Sequence, residues 1–65
     1  MENLVYEKDG IVRFREPKNR KELEQQMEAW NKLAEQGKEL CLTDMLHNIA
    51  VIALKEIKGE ERVIR

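Results

Sequence analysis

Two hydrophobic periodicities follow one another along this chain. From Leu4 to Arg15, "LVYEKDGIVRFR", apolar and polar residues alternate on either side of Asp9-Gly10, the pattern of two short antiparallel strands joined by a tight turn. From Leu23 the spacing becomes helical: Leu23, Met27, Trp30 and Leu33/Ala34 form one stripe, with Glu28 and Lys32 paired i,i+4 outside it. Pro17 separates the two regimes, Asn19 and Glu22 have the spacing of an N-cap and its capping-box partner, and Gly37 supplies a C-terminal stop. A second helix is expected from about Leu42 to Lys58, with Asp44 near its positive end, Lys55 and Lys58 near its negative end, and Gly59 as its terminator.

The hairpin register decides which side chains share a face. A three-residue loop of Lys8, Asp9 and Gly10, with Gly10 left-handed, places Leu4, Tyr6, Val12 and Phe14 together and leaves Val5, Glu7, Ile11, Arg13 and Arg15 opposite. A strict two-residue turn instead sets Tyr6 beside Arg13, so the bulged loop is the expected form. In both registers Val12 and Phe14 take one side and the two arginines the other.

The second helix departs from simple amphipathicity. Its middle, "IAVIAL" from Ile49 to Leu54, is apolar all round, whereas a helix packed against one partner needs a single stripe. A hairpin and one other helix can hardly surround it, so self-association is expected. Val12, Phe14, Trp30, Leu46, Ile49, Ile52 and Ala53 are the candidate core and dimer contacts. The expected fold is α+β, a short strand or hairpin followed by two helices. Residues 1–10 form an arm or first hairpin strand, 11–59 the domain and 60–65 a tail.

Length sharpens the case for a second copy. Sixty-five residues make one domain, and a chain of that size buries only about 60% of the surface it exposes when unfolded. No apolar run approaches the ~20 residues of a membrane span, and "MENLVYEKDG" carries acids where a signal peptide carries basic residues, so no membrane is implied and the cytoplasm is the expected location. The single cysteine, Cys41, excludes an intramolecular disulfide framework and fits a reducing compartment.

The net charge is −1, but it is unevenly spread. Between Ile11 and Lys21, Arg13, Arg15, Lys18, Arg20 and Lys21 stand against Glu16 alone, so this window carries +4 and the remainder −5. Catalytic chemistry is sparse: there is no serine, one histidine (His47) and one cysteine. Six residues along a helix is a rotation of roughly 240°, so Cys41 and His47 do not face one another as nucleophile and base or as metal ligands. Isolated Gly10, Gly37 and Gly59 make no phosphate-cradling loop, and Glu22, Glu24, Glu28 and Glu35 read as a solvated helix face. No enzymatic activity, cofactor or metal is expected.

Strand, proline, helix, glycine, helix is also the order of the DNA-binding ribbon-helix-helix family of phage, plasmid and metabolic repressors. From about Ile11 to Gly59 the chain resembles it: "IVRFREP" looks like the family's strand, "KLAEQG" like the end of its first helix, and "CLTDMLHNIAVIAL" is similar to its second. The resemblance implies an intertwined homodimer whose paired strands lie in the major groove while second-helix N-termini hold flanking phosphates. Carried over, Ile11, Arg13 and Arg15 would contact bases, arginine through its bidentate fork to guanine. The amides of Cys41, Leu42 and Thr43 would take phosphates, and Lys18 and Arg20 would add backbone contacts.

One geometric conflict is visible at this level. If "LVYE" pairs with "IVRFR" in the same subunit, a dimeric sheet of four strands spans roughly 14 Å, wider than the major groove of about 12 Å. Either residues 1–9 swing away as an arm or the arginines serve another purpose. The expected function is a small dimeric transcriptional regulator that binds double-stranded DNA sequence-specifically through a two-stranded ribbon in the major groove; the alternative is a non-enzymatic protein-binding module, an inhibitor or assembly adaptor, that oligomerises through its second helix and docks through its hairpin. The bland reading of the arginines belongs beside both, because half-buried strands alternate apolar and charged residues simply to stay solvated and to protect an edge.

Overall fold

The computed structural model describes residues 3–64, with side chains to residue 59; Met1, Glu2 and Arg65, at the ends of the expected arm and tail, lie outside it. Strands β1 (Val5–Lys8) and β2 (Ile11–Phe14) form an antiparallel hairpin, followed by helices α1 (Arg20–Glu35) and α2 (Leu42–Ile64). The order is the α+β arrangement expected from the two periodicities.

The hairpin register corrects the expected one. Val5 pairs with Phe14, Tyr6 with Arg13, Glu7 with Val12 and Lys8 with Ile11, which leaves only Asp9 and Gly10 in the turn. Both have positive φ, 54° and 80°, the conformation of a type I′ turn whose twist matches that of the strands it joins. Asp9 adopts the left-handed region at small cost because aspartate tolerates it better than most side chains. Val5 consequently joins Val12 and Phe14 on the core side, and Tyr6 joins Ile11 and Arg13 on the outer side.

Local chemistry sets the ends of α1. The Asn19 side chain accepts a hydrogen bond from the Glu22 amide at 3.0 Å, while Glu22 Oε1 accepts one from the Lys18 amide at 2.8 Å, one residue earlier than a standard capping box. At the other end Gly37 (φ 77°) donates to Ala34 O and Lys38 to Leu33 O, both bonds of a Schellman motif. Helix α2 runs past its expected stop: Gly59 lies within it, because glycine permits a left-handed termination without imposing one. Residues 60–64, expected as a tail, continue its backbone.

Val12, Phe14, Leu23, Met45 and Ile52 form the buried core, with Val5, Trp30, Leu33 and Leu40 packed against it. The Phe14 and Trp30 rings lie 5.4 Å apart, tilted by 36°. Each fully buried aliphatic or aromatic side chain contributes about 1.5–3 kcal/mol, so five of them make a small core for a domain. Two amides complete it. Gln26 of α1 and Asn48 of α2 are 0% and 1% exposed. Gln26 Nε2 donates to Arg15 O (2.6 Å) and Leu4 O (3.1 Å); Asn48 Nδ2 donates to Arg15 O (2.9 Å) and Gln26 Oε1 (3.1 Å). They join the open end of the hairpin to both helices.

Replacing Asn48 by leucine should lower unfolding free energy by about 2 kcal/mol in urea titration, because Gln26 Oε1 loses its buried donor and Arg15 O loses one of two. Gly37→Ala should cost about 1 kcal/mol in the same assay, all of it from the positive φ, since an added methyl meets nothing within 4 Å.

Candidate interaction surfaces

The outer face of the hairpin carries the residues that the resemblance assigns to base contacts. Ile11 and Arg13 are half-buried and Arg15 exposed, all three facing away from the core. The fork of Arg13 is engaged within the chain: Nε donates to Asp44 Oδ2 at 2.6 Å and Nη2 to Oδ1 at 3.1 Å, a bidentate pair spanning β2 and the first turn of α2. The Arg15 guanidinium carbon lies 5.1 Å from the centre of the Tyr6 ring, within cation-π distance. Arg20 grips Glu56 through Nε (2.5 Å) and Nη2 (2.7 Å), and the Lys18 carbonyl faces Lys55 Nζ at 3.5 Å.

Asp44 gathers several partners. Besides Arg13 it accepts the Phe14 amide at 3.2 Å. The hydrogen bond from Arg13, opposed by partial burial and helped by the Phe14 amide, holds the Asp44 carboxyl below its ordinary value. The same pair raises Arg13, and Arg20 lowers Glu56. The Asp44 carboxylate stands in the first turn of α2, the turn expected to cradle a phosphate. Of the three amides expected there, that of Cys41 donates to Val12 O at 3.0 Å, while Leu42 and Thr43 are exposed residues of the first turn.

Strand β2 is enclosed on both edges. β1 covers one side. On the other, Val12 donates to Glu39 O at 2.8 Å and accepts from Cys41, a parallel bridge to the segment entering α2. Phe14 donates to Asp44, and its carbonyl lies 3.5 Å from Asn48 Nδ2. Alternation along an antiparallel ladder directs the Val5 and Glu7 backbone groups outward, so the edge the hairpin presents is that of β1.

The apolar belt of α2 divides into two arcs. Met45, Asn48 and Ile52 face the core, whereas Leu42, Leu46, Ile49 and Ile57 lie on an adjoining arc and are 57%, 58%, 39% and 51% exposed. Ala53, on this arc, is half-buried; Leu54, further round, is 58% exposed. Helix α1 extends the surface: Arg20 meets Glu56 late in α2 while Trp30 neighbours Leu42 and Met45, so the helices run antiparallel. Met27, Trp30 and Met45 with Leu42, Leu46 and Ile49 line a groove of about 360 Å³ between them. Of the expected core and dimer residues, Val12, Phe14 and Ile52 are buried, Trp30 and Ala53 half-buried, and Leu46 and Ile49 exposed on this surface.

His47 Nε2 lies 3.2 Å from Glu16 Oε2, and Cys41 is a half-buried free thiol. Among the described residues no helix is long and apolar enough to cross a membrane. Sequence reasoning missed the linking roles of Asp44, Gln26 and Asn48. The available signal was polar residues at core spacing, Gln26 three after Leu23 and Asn48 three after Met45. Comparison with protein-family models, with curated proteins and with solved structures gave no match.

A carboxyl lowered by folding stabilises the fold in its ionised form, so the contribution of Asp44 is complete at neutral pH and lost as pH falls below its ordinary 3.8 through the lowered value. Asp44→Asn should therefore be less stable than wild type at pH 7, and the difference should shrink towards zero in acid. Denaturant titrations of both proteins between pH 7 and pH 2 measure it.

Proposed function

We propose that this chain is a non-enzymatic protein-binding module whose docking surface is the apolar face shared by α2 and α1. The observation that carries the reading is the extent of that face: among the described residues Met27, Leu42, Leu46, Ile49 and Ile57 are exposed large hydrophobics on it, with Leu54 further round α2, against five buried hydrophobic residues in the core. Contiguous apolar surface on this scale marks an interaction site on a folded protein. Its main line runs along α2, in the manner of helix-mediated recognition, with spacings of four, three and eight residues between Leu42, Leu46, Ile49 and Ile57, and Met27 of α1 adjoins it.

The basic strand has a structural occupation in this reading. Arg13 fastens β2 to α2, Arg15 rests on Tyr6, and Arg20 fastens α1 to the far part of α2. For the DNA-binding alternative, an intersubunit ribbon through β2 would require Val12 to surrender its bonds to Glu39 and Cys41. It would also require Arg13 to exchange a bidentate carboxylate for a base edge. A sheet extended through β1 reaches four strands and exceeds the groove width. The local +4 window remains the feature in favour of nucleic acid.

The discriminating experiment is selection of the purified protein against a random duplex library at near-physiological salt. No sequence should be enriched, and residual binding should fall steeply with added salt as non-specific phosphate contact does. Recovery of a palindromic site would overturn the protein-binding reading and imply that the hairpin opens on DNA.

A further inference from the structure

We infer that the occupant of the α2 face is a second copy of this chain, packed with its own α2 antiparallel to the first about a twofold axis beside Ile49 and Ala50. The inference rests on the reading of that face as a docking surface and names what docks there. Three observations support it. First, the large and small residues along the arc are distributed unevenly: Leu42, Leu46 and Ile49 precede Ala50, Ala53 and Ile57. An antiparallel pairing sets Leu46 against Ala53 and Ile49 against Ala50, large against small at the central levels, with Leu42 meeting Ile57 at both ends. A parallel pairing stacks Leu46 on Leu46 and Ala53 on Ala53, which crowds one level and leaves the other hollow. Self-complementarity of this type is what a twofold interface requires, because one patch must serve as both partners.

Second, the area fits. Leu42, Leu46, Ile49 and Ile57 of α2 with Met27 of α1, 37–58% exposed, amount to on the order of 400 Å² of apolar surface per copy, or roughly 800 Å² for two, most of the ~1,000 Å² of a specific interface. A polar rim and half-buried Trp30 add to that area. A patch of that size matches the largest found on a typical monomer, and such patches are often interaction sites.

Third, electrostatics offers little opposition. The six residues of the pairing are uncharged and the chain carries −1, so joining two copies brings little net repulsion. Antiparallel helices also set the positive end of each macrodipole against the negative end of the other. The charges nearest the hairpin, Arg13 and Asp44, are satisfied within one copy.

Sedimentation equilibrium from low to high micromolar concentration, together with cysteine cross-linking, tests the arrangement. The wild type should sediment at twice 7.7 kDa. Leu46→Glu, at a side chain 58% exposed, should sediment as one chain with its helical circular dichroism intact. In a Cys41→Ser background, mixed Leu46→Cys and Ala53→Cys proteins should form the mixed disulfide in preference to either self-disulfide. A second variant, Ile49→Glu, guards against a local effect at position 46 and should also give single chains. A wild type that stays single while still binding an apolar dye at this face, with binding lost in Leu46→Glu, overturns the second-copy occupant and leaves the face to another protein. A dimer that survives both glutamate variants overturns the face as a docking surface as well. Preferential self-disulfides at position 46 overturn the antiparallel order alone.

Discussion

Two side-chain amides hold this fold in one arrangement. Hydrophobic contact is non-directional, and a core of five buried residues leaves a hairpin many ways to lie on two helices. Gln26 and Asn48 remove that freedom, because each donates to the Arg15 carbonyl from a different helix and Gln26 also reaches the Leu4 carbonyl. The donors are buried and their acceptors lie at one point on the hairpin, so a shift of either helix would leave polar groups in a dry interior, where an unmade hydrogen bond costs more than a made one contributes. Among the described residues every buried side-chain polar atom has a partner. The hairpin, weak alone, becomes an ordered lid on the helix pair.

Charge repeats the same design at the rim. Arg13 and Asp44 are 31 positions apart in the chain, and their bidentate contact brings the start of α2 against β2. With Val12 bonded to Glu39 and Cys41, the segment that enters α2 does the work of a third strand. This arrangement leaves the sheet one open edge, that of β1. The exposed large hydrophobics lie mainly on α2, along the surface that the proposed interaction uses.

Elements governed by neighbouring residues were legible in the sequence. Asn19 caps α1 because an extended residue with a short side-chain acceptor precedes Glu22, and Gly37 ends it because only a left-handed residue closes a Schellman motif cheaply. The surplus of apolar residues in the middle of α2 was equally plain, since Leu46, Ile49 and Leu54 stay exposed after the hairpin and α1 have packed. Features that depend on long-range partners were not legible. The register turned on whether Asp9 accepts a positive φ, and setting Tyr6 beside Arg13 looked unfavourable only while Arg13 lacked Asp44 and Arg15 lacked the Tyr6 ring. Met27, expected within the α1 stripe, lies at its margin because Gln26 takes the buried position. Gly59 read as a stop because composition marks where a helix is able to end, whereas its backbone φ decides whether it does.

The enclosure of β2 also divides the hairpin into amides of very different lifetimes. The Val12 amide is locked to Glu39 and that of Cys41 to Val12, across a closure that joins the first third of the chain to the segment entering α2. Their protons leave for bulk water only when α2 detaches from the sheet. The Val5 and Glu7 amides point outward from β1 and meet solvent with the fold intact. Hydrogen exchange therefore separates two events within a dozen residues: rapid loss at alternate positions of β1 reports native-state breathing, and slow loss at Val12 reports the global opening of the molecule.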